Sequence, residues 1–202
     1  MSILPPSDVV PTNAADTLVI LLHGVNAHPK RLRFVHEAVT QTLDNVDVLV
    51  PALPFGLFSF VDLNELTWEL VAHIDQACAD RMRCADGRPY SRIILVGHSL
   101  GALLARKIYV YACGQNETAP FELTQYHPER GEPRAWASSV ERIILMAGLN
   151  RGWTISHHVS LPKILLARLA IVVGNILHLF MRSTYLYFQF RRGAPLTLSS
   201  HC

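Results

Sequence analysis

The stretch Gly97-His98-Ser99-Leu100-Gly101 decides the fold, because it matches the nucleophile-elbow pattern G-x-S-x-G in a fitting context. An apolar run with β-strand character precedes it at residues 92–96, and a helix-like run follows at residues 102–108. A strand that turns sharply into a helix needs glycines beside the serine, since side chains there would collide with the neighbouring strand and helix. The pattern therefore predicts a tight turn that exposes the Ser99 hydroxyl at a helix N-terminus, where partly positive amides favour a developing negative charge.

A second motif follows another apolar run. Residues 18–22 are continuously apolar, as expected for a parallel strand buried on both faces, and His23-Gly24-Val25-Asn26 comes directly after them. Together the two motifs resemble the α/β-hydrolase superfamily, in its lipase and esterase branch. The resemblance implies that Ser99 is the catalytic nucleophile. It also implies that the backbone N–H groups of Val25 and Leu100 bind the oxyanion of a tetrahedral intermediate.

Strand-like and helix-like segments alternate along most of the chain. Further strands are predicted at residues 46–50 and 140–146. Helices are predicted near Pro29 and after Asp62, which has the spacing of a capping box with Glu65. This alternation favours right-handed βαβ units and a parallel sheet. The predicted fold class is α/β: an α/β-hydrolase-like three-layer sandwich with a mostly parallel sheet, incomplete at its C-terminal edge, plus a helical cap-like segment.

Composition divides the chain into three predicted regions. Residues 1–16 are a lead-in, residues 17–150 the α/β-hydrolase core, and residues 151–202 a cap-like or membrane-interfacial helical segment with a tail. The 202 residues are 50% hydrophobic and 17% charged, with a net charge of +2. From residue 142 onward there are seven Lys or Arg and no Asp or Glu, which suits peripheral contact with anionic lipid headgroups. The basic residues are spread out without a binding motif, so nucleic acid is not expected as a partner.

Residues 164–181 are almost entirely apolar but fall short of the roughly 20 residues that cross a bilayer. Arg168, Asn175 and His178 fall close to one helical face. Three interpretations stay open: a cap helix over the acyl site, an interfacial helix and a membrane span. The apolar loop at residues 54–60 is either part of an acyl pocket or a loop packed on the core.

The partners of Ser99 are harder to place. A serine hydroxyl needs a base, normally a His oriented by a carboxylate, and the resemblance implies the chain order Ser, acid, His. No carboxylate follows Glu141. The acids between Ser99 and the predicted strand at residues 140–146 lie at the amino end of that strand, away from the carboxyl ends where a catalytic acid belongs. Both His23 and His98 are expected to be structural. Four histidines follow Glu141 without a recognisable strand before them: His157, His158, His178 and His201. No triad acid or His is assigned, and we expect a hydrolase that lacks its C-terminal part here.

Two functions of different classes are therefore predicted. The first is a serine hydrolase that cleaves carboxylic esters of small or lipid-like molecules through an acyl-enzyme on Ser99. The second is a catalytically impaired protein of the same fold that binds a membrane surface or a partner through its basic apolar tail. No cofactor or metal is expected, because the four cysteines lack metal-ligand spacing. With no secretory signal visible, we expect free thiols and a cytoplasmic or membrane-peripheral location, and the sequence leaves the oligomeric state open.

Overall fold

The computed structural model describes residues 4, 12, 14–25, 29–54, 61–84, 87–114 and 132–147. Four strands alternate there with three α-helices. The elements are β1 (Thr17–Leu22), α1 (Arg33–Thr42), β2 (Val46–Leu49), α2 (Leu63–Cys84), β3 (Arg92–His98), α3 (Leu100–Cys113) and β4 (Val140–Met146), with 3₁₀ helices at Pro29–Leu32 and Ala135–Ser139. Within the described ranges, no helix is both long and apolar enough to cross a membrane.

The four strands form one parallel sheet in the order β2-β1-β3-β4. Each strand is connected to the next through a helix, because parallel neighbours need a crossover connection. The chain moves from β1 outward to β2 and then crosses to β3 on the other side of β1. The strand order therefore reverses between β1 and β3. Open α/β sheets bind ligands at the carboxyl ends of the two strands beside such a reversal, and here these strands are β1 and β3. The predicted α/β fold with a parallel sheet is confirmed.

The central strand β1 is buried on both faces, and alternate residues along it belong to two separate cores. Leu18, Ile20 and Leu22 pack with α2 and α3. Val19 and Leu21 pack with apolar residues of α1 and of the 3₁₀ helix before it. Helices therefore cover both faces of the sheet, which gives the three layers that the sequence predicted. The predicted apolar stripe of α2 is buried, and it consists of Leu66, Leu70, Ile74 and Ala77.

The ends of the elements differ in detail from the predicted ones. Asp62 caps α2 as predicted, since its Oδ1 accepts a hydrogen bond from the Asn64 N–H at 2.7 Å. Pro29 opens a 3₁₀ helix rather than an α-helix, and α1 follows it. β2 ends at Leu49, one residue earlier than predicted, and α3 extends to Cys113, beyond the helix-like run at residues 102–108. None of these differences moves a strand or changes the topology.

A buried polar network ties the N-terminal segment to the amino edge of the sheet. The Asp47 carboxylate, 5% exposed, accepts hydrogen bonds from the Tyr90 hydroxyl at 2.7 Å and the Thr12 hydroxyl at 3.0 Å. Arg81 donates to the Thr12 carbonyl at 2.6 Å. Burial and the neighbouring Asp47 raise the pKa of Tyr90, so its hydroxyl stays protonated and able to donate. Because an unpaired buried carboxylate is costly, these hydrogen bonds let Asp47 stay buried in β2.

The half-buried thiol of Cys78 provides a test of how α2 packs. Burial and the nearby Asp75 carboxylate raise the pKa of Cys78 from 9.0 to about 12, whereas Cys84 and Cys113 are exposed free thiols. Only the thiolate reacts with alkylating reagents. The raised pKa lowers the thiolate fraction of Cys78 at mildly alkaline pH roughly a thousandfold, compared with a thiol of pKa 9.0. We expect iodoacetamide to modify Cys84 and Cys113 in the folded protein, and Cys78 only after unfolding in urea, as mapped by mass spectrometry. Labelling of Cys78 as fast as Cys84 in the folded chain would contradict this packing.

Candidate active site

The carboxyl ends of β1, β3 and β4 lie side by side at one edge of the sheet. Leu22, the last residue of β1, is opposite Gly97 on β3. His98, the last residue of β3, is opposite Met146 on β4. The segments that leave these strands therefore start from the same edge. The two motifs of the sequence, far apart along the chain, meet there.

Ser99 has the strained backbone that an elbow requires. Its φ of 55° and ψ of −114° lie in a region that residues other than glycine rarely adopt, at a cost of about 1–3 kcal/mol. The Ser99 N–H donates to the Met146 carbonyl at 2.9 Å, and the Ala102 N–H donates to the Ser99 carbonyl at 3.1 Å. One bond fixes the turn to the end of β4 and the other to the first turn of α3. The surrounding backbone thus holds the serine in its unfavourable conformation.

The hydroxyl of Ser99 does not cap α3. A serine at this position usually accepts a hydrogen bond from an amide of the first turn, but the Ser99 side chain makes no capping bond. Its Oγ lies beside the loop that follows β1. A Cβ built on Gly24 would be 3.3 Å from the Ser99 Oγ and 2.9 Å from its Cβ. Ser99 is partly exposed, and its hydroxyl faces the backbone of Gly24 at a spacing that any side chain there would disturb.

Two further glycines let α3 approach the sheet closely. A Cβ on Gly101 would lie 2.2 Å from the Leu22 carbonyl oxygen, and one on Gly97 would lie 2.3 Å from the Gly101 carbonyl oxygen. Both distances are far shorter than van der Waals contact, so the first turn of α3 rests directly on the backbones of β1 and β3. This contact fixes the helix N-terminus next to the loop after β1. The steric role predicted for the glycines of the elbow is confirmed.

His23 fastens the loop after β1 to the segment that follows β2. The imidazole is 1% exposed, its Nε2 accepts a hydrogen bond from the Leu53 N–H at 3.0 Å, and its Nδ1 lies 3.0 Å from the Gly24 carbonyl oxygen. Because a backbone N–H only donates, Nε2 carries no proton, and Nδ1–H donates to Gly24. Both ring nitrogens are engaged. His23 is therefore structural and is not placed to take the proton of Ser99.

Replacing His23 by alanine should weaken the folded state as well as the loop. The Gly24 carbonyl and the Leu53 N–H would lose their partner in buried surroundings, and a cavity would remain. We expect the free energy of unfolding, measured in urea, to fall by about 3 kcal/mol. His36→Ala on α1 is the matched control and should change it by less than about 0.5 kcal/mol. Equal losses in the two variants would show that His23 does not fasten the loop.

The other predicted residues divide into those at this edge and those elsewhere. Val25 follows Gly24 and packs on the margin of the larger core, and Leu100 is a fully buried first residue of α3. Glu141, at the start of β4, lies at the opposite edge, as predicted. Among the described residues, no group of three or more His, Cys, Asp or Glu is arranged to hold a metal ion. Several predictions fall outside the described residues: the loop at 55–60, the segment at 164–181, the tail, and His157, His158, His178 and His201.

Residues 12–128 match the family model described as "Putative serine esterase (DUF676)". The chain belongs to this family. The match spans β1 through α3 and includes both the loop after β1 and the elbow. None of the curated proteins matches the chain.

Several solved structures are similar to the chain at low sequence identity. Phospholipase PlaB from Legionella pneumophila is 17% identical, with a TM-score of 0.50 over 93% of this chain and 35% of that one. An acetyl xylan esterase is 17% identical, with a TM-score of 0.44 over 72% of this chain and 69% of that one. Esterase PE8 is 20% identical, with a TM-score of 0.39 over 55% of this chain and 59% of that one. The chain spans about half the length of several structures that it matches and about a third of phospholipase PlaB, whose fold it shares.

Proposed function

We propose that this chain is a serine hydrolase of carboxylic esters, with Ser99 as the nucleophile. The observation that carries the proposal is the Ser99 turn itself: a strained serine whose hydroxyl leaves its helix uncapped and faces the Gly24 backbone. A structural serine would gain nothing from that conformation, whereas a nucleophile needs an accessible hydroxyl beside fixed amides. Membership in a serine esterase family supports an ester as the substrate class.

Backbone amides supply the oxyanion site in this proposal. The Leu100 N–H opens α3, where first-turn amides have no acceptor within the helix and the helix dipole favours negative charge. The N–H of Ser99 itself is taken by the Met146 carbonyl. Val25 lies in the loop that His23 fixes, and its N–H is the second donor. Two donors held in place before the reaction stabilise the tetrahedral oxyanion more than the carbonyl of the bound ester.

The reaction proceeds in two acyl transfers. The Ser99 Oγ loses its proton to a base and attacks the carbonyl carbon, and the alcohol leaves with a proton to give an acyl-enzyme. Water then attacks the same carbon, releasing the carboxylic acid and returning the proton to Oγ. Histidine is the residue type best suited to the base at neutral pH. Both nitrogens of His23 are engaged, so in this proposal the base is a histidine that follows the elbow in the sequence.

A panel of paired substrates tests the proposal. We expect the full chain to hydrolyse p-nitrophenyl esters of short and long acyl groups well above the buffer rate. Matching p-nitroanilides should react far more slowly. The carbonyl carbon of an amide is less electrophilic than that of an ester, and the amine has to be protonated before it can leave. Release of p-nitrophenol or p-nitroaniline is followed by absorbance. Ester hydrolysis at the buffer rate, or anilides cleaved as fast as esters, would contradict an esterase.

A further inference from the structure

We infer that the start of α1, with the 3₁₀ helix before it, docks this protein onto an anionic membrane surface. The docking surface consists of Lys30, Arg31, Arg33 and Phe34. The inference rests on the proposed function and deepens it, because it names esters held in a lipid surface as the substrates that Ser99 meets. It assigns membrane contact to the first helix and not to the tail.

Phe34 is the most exposed large hydrophobic side chain in the described part of the chain, at 72%. The guanidinium carbon of Arg33 lies 5.1 Å from the centre of its ring. Lys30 and Arg31 are exposed one turn earlier. A single exposed aromatic side chain is unremarkable on a protein surface. An exposed aromatic ring beside one cation, with two more cations in the preceding turn, has the composition of segments that settle at the lipid headgroup boundary.

The charge of the docking surface is positive and local. Residues 29–42 contain three Lys or Arg and one acid, Glu37, which pairs with Arg33 at 3.3 Å. The next acid, Asp44, lies beyond the far end of α1, about 15 Å along the helix from Phe34 at 1.5 Å per residue. A cation close to an anionic leaflet strengthens binding about fivefold. Charge complementarity therefore selects an anionic surface over a neutral one.

The docking surface lies at the same edge of the sheet as Ser99. α1 connects the carboxyl end of β1 to the amino end of β2, so it runs back along the sheet and begins at the carboxyl edge. Phe34 is the second residue of α1 and so lies in its first turn. Docking through this turn would bring the edge that carries Ser99 toward the lipid. An ester leaving the bilayer would then reach the serine over a short path.

Charge argues against two other occupants of the docking surface. A second copy related by a two-fold axis would place the cations of one chain against those of the other. Residues 148–202 carry six Lys or Arg and no Asp or Glu, so they too would be repelled by this surface. An anionic lipid surface would bury the ring of Phe34 and attract the cations around the start of α1.

Co-sedimentation of the full chain with phosphatidylcholine vesicles, with and without phosphatidylglycerol, tests the inference. We expect strong binding only where phosphatidylglycerol is present, and release by added salt. Phe34→Ala should weaken that binding about tenfold, since it removes one buried aromatic side chain. The triple variant Lys30→Gln, Arg31→Gln, Arg33→Gln should weaken it about a hundredfold. Circular dichroism before sedimentation confirms that each variant is folded.

Matched control variants lie at the opposite edge of the sheet. Met82 is 47% exposed in the last turn of α2, and the Arg83 side chain beside it is 69% exposed. Met82→Ala and Arg83→Gln should bind vesicles as the wild type does. The inference is overturned if the wild type shows no preference for phosphatidylglycerol, if the docking variants bind normally, or if Met82→Ala loses as much as Phe34→Ala. It is equally overturned if ultracentrifugation finds a dimer that Phe34→Ala dissociates.

Ser99→Ala separates failure of this inference from failure of the proposed function. It should bind phosphatidylglycerol vesicles as tightly as the wild type. If the wild type binds these vesicles through the docking surface but hydrolyses no ester, only the proposed function fails. If the wild type hydrolyses soluble esters while the docking variants keep full vesicle binding, only the inference fails.

Discussion

Gly101→Ala should lower the free energy of unfolding by about 3 kcal/mol or more. The new Cβ would lie 2.2 Å from the carbonyl oxygen of Leu22 and 2.9 Å from that of His23. These are backbone atoms of the central strand and its loop, so they cannot rotate away as a side chain would. The helix α3 has to move off the sheet, and the elbow moves with it. Urea denaturation followed by circular dichroism gives the loss.

Gly87→Ala is the control for this prediction, because it separates steric overlap from backbone strain. Gly87 has a φ of +80°, which disfavours alanine, but a Cβ there would meet nothing within 4 Å. Its substitution should therefore cost only about 1–2 kcal/mol. If Gly101→Ala were no more destabilising than Gly87→Ala, the close approach of α3 to β1 would be wrong.

Ser99→Ala should reduce ester turnover by a factor on the order of 10⁴ to 10⁶ while leaving the fold intact. Alanine removes the attacking oxygen, and the remaining amides can only bind the substrate. The side chain makes no capping bond and alanine suffers the same backbone strain, so we expect the free energy of unfolding to change by less than about 1 kcal/mol. The measurement is kcat for a p-nitrophenyl ester, together with urea denaturation of the same preparation.

Ser91→Ala is the matched control for the serine. Ser91 is exposed just before β3, at the opposite edge of the sheet, where its hydroxyl donates to the Asp16 carbonyl at 3.1 Å. This variant should keep the full turnover. Ester hydrolysis by Ser99→Ala at a rate near that of the wild type would show that another residue is the nucleophile.

The fold was predictable because its signals are local. The apolar run that became β1 is continuous, which is what burial on both faces demands, and every one of its residues is buried. The glycines of the elbow were equally informative, since only a backbone packed on a backbone explains Gly97 and Gly101 together. Element ends were less predictable, because a last turn such as that ending at Cys113 depends on tertiary packing.

The contacts that organise the site were not predictable from the sequence. Leu53 donates to His23 across 30 positions, and Ser99 donates to the Met146 carbonyl at the end of a later strand. Each bond has at least one backbone partner, and every residue except proline carries both a backbone N–H and a carbonyl, so no residue type signals where that partner lies. The same reason explains why Val25 and Leu100 could be inferred only through a resemblance. The buried network around Asp47 likewise joins positions that no motif connects.

The most direct test of the account is covalent labelling with a fluorophosphonate probe, which reacts with activated serines. We expect mass mapping of the labelled wild-type chain to find a single adduct on Ser99, lost in Ser99→Ala and retained in Ser91→Ala. A folded wild-type chain that takes up no probe, or an adduct on any serine other than Ser99, would contradict the claim that the elbow activates this hydroxyl.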